Sequence, residues 1–321
     1  CNVLSSACPI CNMPVTFGDH TRIFKYVDYP FFLGADGVKI LKNTSNLFLD
    51  KYLYYSLKNF KIPDTGYNRH FKWLKDFKIK YISLAKQERI TSLIEKIEFF
   101  ILKKEKQLEY LKELKKSLFT RMFGDIKTNN KNWQLYEIRE ISNILTRGKT
   151  PKYTLSSNIF VINQACIYWD KIKYENIKFH IEEENLLFLK NKDILINSTG
   201  TGTLGRMNII GNIINEKFTV DSHVMLLRLK KEKASPIYFI NIFMGEEYQK
   251  ELILKCVNGS TNQIELSKEK FSKFKIPIPP IELQNKFAER IEKIEKLSFE
   301  IEKSIKEAQN LYNSLMNKYF D

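Results

Sequence analysis

Apolar residues recur every three or four positions through residues 84–122, at Ile90, Ile94, Ile97, Ile101, Leu108, Leu111, Leu114, Leu118 and Met122. Charged residues fill the gaps, so the spacing predicts one long amphipathic helix. A second stretch starts near Ile281 and runs to Phe320, with Phe287, Ile291, Ile294, Ile301, Ile305, Ala308, Leu311 and Leu315 on its stripe. Elsewhere the apolar runs are short. Residues 1–72 are broken by turn residues such as Phe17-Gly18-Asp19-His20 and Pro63-Asp64-Thr65-Gly66, which predicts mostly β structure with one helix over residues 50–58. After a linker at residues 124–132, strands are predicted at Val161-Ile162-Asn163, Asp193-Ile194-Leu195-Ile196 and Val224-Met225-Leu226-Leu227-Arg228-Leu229, and a helix over residues 236–256. Pro277, Pro279 and Pro280 forbid helix in residues 275–280, which are therefore extended.

The two helical stretches are copies. Residues 74–123 and 271–320 align without a gap at a constant offset of 197. Phe77-Lys78-Ile79 matches Phe274-Lys275-Ile276, Gln87 matches Gln284, Ser117-Leu118 matches Ser314-Leu315, and Phe123 matches Phe320. So long a period means two whole modules and a pseudo-twofold molecule, a symmetry suited to duplex DNA. A helix of ~37 residues spans ~55 Å, and its stripe cannot stay exposed. The economical arrangement is an antiparallel coiled coil of the two copies. Its seam would be Ile90, Ile94, Ile97, Ile101, Leu108, Leu111 and Leu118 against Phe287, Ile291, Ile294, Ile301, Ile305, Leu311 and Leu315. If each helix instead packed on its own domain, the rod would overhang a domain only ~30 Å across.

Composition narrows the partners. Hydrophobic residues make up 43% of 321, enough for two domains with cores. The formal charge of +15 favours a polyanion. The second long helix does not carry that excess, since residues 282–320 hold seven Lys and Arg against seven Glu. Cys1, Cys8, Cys11, Cys166 and Cys256 are odd in number and scattered, which suggests a reducing, cytoplasmic compartment rather than a disulfide framework. No apolar run reaches the ~20 residues needed to span a bilayer. Cys8-Pro9-Ile10-Cys11 has zinc spacing but lacks a second ligand pair, so no metal site is expected. The start at Cys1, inside strand-and-turn sequence, suggests a chain truncated at its N-terminus.

Two polar runs stand out as candidate DNA contacts. The first is Asn197-Ser198-Thr199-Gly200-Thr201-Gly202-Thr203-Leu204-Gly205-Arg206. Its glycines mimic a dinucleotide fingerprint, but strand and turn follow where that site needs a helix. Asn197, Ser198, Thr199, Thr201, Thr203 and Arg206 instead offer donors to a DNA backbone. The second run, Asn258-Gly259-Ser260-Thr261-Asn262-Gln263, supplies Ser260, Thr261, Asn262 and Gln263, types that pair with adenine or reach phosphate. Tyr67-Asn68-Arg69-His70 holds the equivalent place in the first module, giving Asn68 and Arg69, with Arg22 as a further candidate. Plain surface loops are the other reading of each run. No catalytic motif is visible: Glu113-Leu114-Lys115 lies on the helix, and there is no phosphate-cradling loop.

The run from Phe274 through Pro277-Ile278-Pro279-Pro280-Ile281-Glu282-Leu283-Gln284, the helix closing in Ser314-Leu315 and Phe320, and the stretch 193–206 resemble the specificity subunit of type I restriction–modification systems. The order β module, helix, β module, helix is similar to that family's target recognition domain and spacer helix, taken twice. The resemblance implies an α+β fold: an incomplete recognition domain at 1–72, a spacer helix at 73–125, a second recognition domain at 126–270 and a spacer helix at 271–321. The first domain is short by something like 60–70 residues. The resemblance also implies a non-catalytic subunit that reads a bipartite site on double-stranded DNA, with halves set ~55 Å apart. Two modification subunits and further restriction subunits would join it; S-adenosylmethionine, ATP and Mg would belong to those partners. The tail of a fused restriction–methylation enzyme, or a truncated scaffold that binds partners without reading a full site, are the alternatives.

Overall fold

The computed structural model describes residues 15–31, 37–183, 185–200, 202–211, 213, 216–259 and 264–321. The chain forms two compact units, Cys1–Tyr110 with Ser298–Asp321, and Leu111–Leu297. Each long helix, α2 (Leu84–Phe123) and α7 (Ile281–Phe320), contributes a part to both.

Unit 1 holds a small antiparallel sheet of β1 (Val15–Gly18), β2 (Phe24–Tyr26) and β3 (Val38–Leu41), ordered β2-β1-β3. Val15, Phe17, Phe24 and Leu57 form its core, the last from helix α1 (Asp50–Asn59). A 3-10 turn, Phe71–Asp76, closes it. A second cluster joins Tyr55 of α1, Ile90 and Ile94 of α2, and Met316 of α7.

Unit 2 is larger. One antiparallel sheet runs β10 (Met207–Ile209), β9 (Ile194–Asn197), β12 (Val224–Leu229), β5 (Ser142–Arg147). The other runs β11 (Lys217–Val220), β7 (Ile159–Ile162), β8 (Lys178–His180), β6 (Tyr153–Thr154), with β11 and β7 parallel. Ile194, Ile196, Met225 and Leu227 face one core, whereas Leu195, Val224 and Leu226 face another. Both faces of that sheet are therefore buried, and its central strands read as unbroken apolar runs rather than alternating ones. Strand β4 (Leu135–Glu137) pairs with β15 (Lys275–Pro277), and the one-turn helix α3 (Ile138–Ile141) follows it. The helix expected over residues 236–256 is two, α4 (Pro236–Phe243) and α5 (Glu246–Cys256). Gly245, at φ −70° and ψ 132°, breaks it and is the residue before the first turn of α5. Strands β13 (Val257–Asn258) and β14 (Glu265–Leu266) form a hairpin, and α6 (Lys268–Ser272) leads to β15.

The long helices contain neither Gly nor Pro, and each runs 40 residues. The end of α2 is closely capped. Gly124 takes φ +78°, and its N–H donates to Thr120 O at 2.8 Å. Lys131 Nζ donates to the carbonyls of Arg121 and Met122 at 3.1 and 3.0 Å, and Trp133 Nε1 to that of Phe123 at 2.9 Å.

The helices pack on each other and run in opposite directions. In unit 2 Phe119 and Phe123 lie 5.5 and 5.2 Å from Phe287, while Lys115, eight residues before Phe123, pairs with Glu295 at 3.3 Å. Beyond Ile97, the shielded positions of α2 include Ile101, Lys104, Leu108, Leu111, Lys115, Leu118 and Met122, a heptad seam. On α7 the seam is Phe287, Ile291, Ile294, Ser298, Ile301, Ile305, Ala308, Tyr312 and Leu315. Leu311 is a correction. It is 50% exposed because the heptad step from Ala308 is four residues, which gives the seam to Tyr312. Leu114 is 49% exposed for the same reason, with Lys115 in its place.

The duplication extends to three dimensions. Gln87 and Gln284 are both fully buried. Gln87 Oε1 accepts from the Leu49 N–H at 2.8 Å, and its Nε2 donates to the carbonyls of Leu47 and Ile82 at 2.9 and 2.8 Å. Gln284 accepts from the Ser235 N–H at 2.9 Å and donates to Lys233 and Pro279 at 3.1 and 2.7 Å. Each glutamine thus ties the start of a long helix to the loop before a short one. The hydroxyl of Tyr52 donates to Lys80 O at 3.0 Å, and that of Tyr238 to Pro277 O at 2.8 Å. Tyr52 packs on Phe320 with ring centroids 5.2 Å apart, and Tyr238 on Phe123 at 4.6 Å. The tail of the second helix completes unit 1 as the tail of the first completes unit 2.

Candidate nucleic-acid interface

The described residues of the first polar run and the two strands that flank the second lie together in unit 2. Residues 198–206 connect β9 to β10, and Asn258 and Gly259 of the second run lie at the end of β13. The structure joins them: Leu266 N–H donates to Ser198 O at 2.8 Å, and Thr199 bridges to Glu265. The guanidinium of Arg147, from the end of β5, pairs with Glu265 and donates to Leu266 O, bracing the hairpin. Three glycines shape the first loop, with Gly200 at φ +97°, Gly202 at +78° and Gly205 at +81°, a region other residues rarely adopt. A Cβ on Gly205 would also meet Gln249 Oε1 at 2.9 Å, so α5 packs against the loop there.

Within this loop the candidate residues divide. Asn197 and Ser198 are fully buried. Asn197 Nδ2 donates to Gln164 O at 3.0 Å and Ser198 Oγ to His223 O at 2.8 Å, so both hold the loop rather than face solvent. Thr199 Oγ1 donates to Gln164 Oε1 at 3.1 Å and lies 3.0 Å from His223 Nδ1. Thr203 Oγ1 donates to Thr199 O at 3.0 Å. Arg206 is half-buried, with its guanidinium 5.2 Å from the Tyr168 ring centroid; Lys173 Nζ lies 4.2 Å from the same ring. A cation held on an aromatic face keeps its N–H donors available to phosphate. Thr201, Ser260, Thr261, Asn262 and Gln263 lie outside the described residues, as do Cys1, Cys8 and Cys11.

Unit 1 has the same pair of loops in simpler form. Residues 19–23 join β1 to β2, and residues 63–70 hold the place of the β13–β14 hairpin. Arg22, at φ +60°, pairs with Asp64 at 2.9 Å and so ties the two loops together. The Gly66 N–H and then Arg22 hold the Asp64 carboxyl below its usual range. Asn68 Nδ2 is spent on Thr65 O, whereas Arg69 is exposed. Tyr67 is 89% exposed and stacks on His20 at 4.7 Å. His70, fully buried, receives its place from Asp19: its Nδ1 lies 3.0 Å from Asp19 O.

Reasoning from sequence missed the supports of these loops. Gln164, Tyr168, Lys173 and His223 sit on other segments, and no local pattern marks them. Gln87 and Gln284 were visible as a matched pair, but their clamp was not.

Nothing in the described residues suggests bond-making chemistry. Burial pushes the thiols of Cys166 and Cys256 up to about 11, so both stay protonated. Among the described residues no three His, Cys, Asp or Glu converge to hold a metal ion, and no helix is long and apolar enough to cross a membrane.

Two β modules of one plan, each with a tied pair of polar loops and each completed by the far end of a paired helix, define a recognition protein, and the described residues hold no evident reaction centre. Residues 130–309, more than half of the chain, match the type I restriction modification DNA specificity domain, and the protein belongs to that family. It therefore carries the DNA-specificity role of a type I restriction–modification complex. The chain is 25% identical to the type I restriction enzyme MjaVIII specificity subunit of Methanocaldococcus jannaschii, an alignment covering 87% of this chain and 74% of that one. The fold is similar to that of the type I restriction–modification S subunit from M. genitalium, with a TM-score of 0.62, 15% identity, and 98% and 84% of the two chains covered. It is also similar to a chain from a structure of the type I restriction–modification system, with a TM-score of 0.52, 14% identity, and 96% and 80% covered.

Proposed function

We propose that each unit reads one half of a bipartite DNA target through its pair of tied loops, and that the chain itself catalyses nothing. One observation carries this reading: in unit 1 the loop after β1 is joined to residues 63–70 by Arg22–Asp64, and in unit 2 the corresponding loop after β9 is joined to β14 by Ser198–Leu266. Arg206 and Arg69 are the charged contacts, and Ser260, Thr261, Asn262 and Gln263, which lie between β13 and β14 in the sequence, read base edges. Modification subunits dock along α2 and α7. These helices leave Leu93, Phe99, Phe100, Leu102 and Phe299 more than two-fifths exposed, an unusual amount of apolar surface for a helix in water. S-adenosylmethionine, ATP and Mg are assigned to the modification and restriction subunits.

The decisive experiment is co-expression with a modification subunit from the same source, followed by mapping of genomic methylation with and without this chain. A split motif that appears only with the chain supports the reading; methylation unchanged by its removal overturns it. Affinity of the complex for target DNA should fall steeply with salt. Equal binding at low and high salt would count against phosphate contacts.

A second reading has its own support. Among the described residues unit 1 has one three-stranded sheet where unit 2 has two four-stranded and two two-stranded sheets. If unit 1 does not read DNA, the methylated motif will be a single half-site.

A further inference from the structure

In unit 2, β12 runs antiparallel to both β9 and β5, so it begins at the end of the sheet where they finish. His223 is the residue before it, in the tight turn from β11. The Val224 N–H closes that turn by donating to Asp221 O at 3.1 Å. The glycine-rich loop leaves β9 at the same end, and the two segments are bonded together. His223 O accepts from the Ser198 N–H at 2.9 Å and from Ser198 Oγ at 2.8 Å. On the other side the His223 N–H donates to the carboxyl of buried Asp221 at 2.9 Å. The backbone of His223 is thus fixed from two directions, yet its side chain is exposed.

Hydrogen bonding also decides which ring nitrogen carries the proton. Thr199 Oγ1 has a single hydrogen and donates it to Gln164 Oε1 at 3.1 Å. Towards His223 Nδ1, 3.0 Å away, the hydroxyl can then only accept. Neutral His223 is therefore protonated at Nδ1, and Nε2 is a bare acceptor. Among the described residues Nε2 has no hydrogen-bond partner. The ring is ordered in advance, which lowers the entropy cost of using it to bind.

A bare nitrogen does not suit a phosphate, whose oxygens are themselves acceptors. It suits an amino group. The major groove of DNA presents two, adenine N6 and cytosine N4, and each distinguishes its base pair. Arg206, at the far end of the same loop, has donors only and serves the backbone.

We propose that His223 is a specificity-determining residue of unit 2, its Nε2 accepting a hydrogen bond from the exocyclic amino group of one adenine or cytosine in the target. Thr199 and Gln164 are positioning residues that hold the ring and set its tautomer. The role rests on unit 2 reading DNA, as proposed above. It adds a base contact from the β11–β12 turn, a third segment besides the two polar runs.

The test is co-expression of the wild-type, His223→Ala and His223→Phe chains with a modification subunit from the same source, followed by mapping of genomic methylation. The Phe variant keeps a ring in place and guards against a loss caused by misfolding. Both variants should relax the motif at one adenine or cytosine, with preference there falling about five- to thirty-fold and the other positions unchanged. On a duplex of the mapped motif, each adenine and cytosine is then replaced in turn by an analogue without the amino group. One replacement should weaken wild-type binding by a similar factor and leave the His223→Ala complex unaffected; it identifies the base. The slope of log affinity against log salt should stay the same in both variants, since no phosphate contact is lost. Thr199→Val, which frees the ring, should lower discrimination at the same position by a smaller factor. A motif unchanged in both variants, or an equal loss at all positions with a shallower salt slope, would overturn the role of His223. A wild-type chain that directs no methylation would instead overturn the reading of DNA itself.

Discussion

Units 1 and 2 share a frame and differ in what is built on it. The frame is a buried glutamine, a buried tyrosine hydroxyl and a phenylalanine from the far end of a helix, at matched places in both. The superstructure differs. Among the described residues unit 2 adds a second four-stranded sheet, α5 and a long glycine-rich loop, where unit 1 has a five-residue turn and an extended stretch. Groups that fix backbone geometry leave little choice of residue, because a buried polar atom without its partner is costly. Loops at a sheet end face no such constraint and can change with the ligand.

The strongest way to break the comparison is to truncate the matched phenylalanines. Phe123 is fully buried against Tyr238 and Phe287, and Phe123→Ala should cost about 3–5 kcal/mol in urea unfolding. Phe320 is only half-buried, so Phe320→Ala should cost about 1–3 kcal/mol. An equal loss at the two sites would mean that the frame is more symmetric than its burial.

Next come the glutamines. Gln87→Ala and Gln284→Ala each orphan one N–H and two carbonyls, and should each cost about 2–4 kcal/mol. If only one variant is destabilised, the two clamps are not equivalent.

The tyrosines sharpen the comparison further. Tyr52→Phe and Tyr238→Phe remove one hydrogen bond each, about 1 kcal/mol by the same melts. They also bear on alkaline stability. Burial raises the phenols of Tyr52, Tyr55, Tyr238 and Tyr248, and burial with Asp50 and Asp28 raises Tyr26 to about 12. The unfolded chain ionises near pH 10 while the folded chain resists. Stability is therefore whole below about pH 10 and lost as pH rises beyond it. Tyr238→Phe should flatten that loss, read as the change in urea midpoint between pH 9 and 11.

The smallest effect separates the reading loops. Arg206→Ala and Arg69→Ala should each lower the slope of log affinity against log salt by about 1 if both guanidiniums touch phosphate. A slope that changes for Arg206→Ala alone would assign DNA reading to unit 2 only.

Much of this was legible in the sequence. The long helices, their pairing, β12 and the extended run before α7 follow from periodicity and proline placement, which are local signals. Leu311 was misplaced because a stripe read by eye admits either neighbour, and only the heptad count selects Tyr312. The break at Gly245 was missed because Met244-Gly245 lies between two segments of the same helical character. The candidate loops were found by composition. That Asn197 and Ser198 are consumed inside the fold was not legible, since their partners, Gln164 and His223, lie 33 and 25 residues away.

The capping of each unit by the opposite helix tail has a practical consequence. Phe320 and Met316 belong to the cores of unit 1, although nearly the whole of unit 2 separates them from it along the chain. A protease that nicks the exposed stretch after Gly124 would therefore release neither half. The fragments would migrate together until denaturant parts them, and an expression boundary drawn at that linker would yield a first half lacking its own keystone.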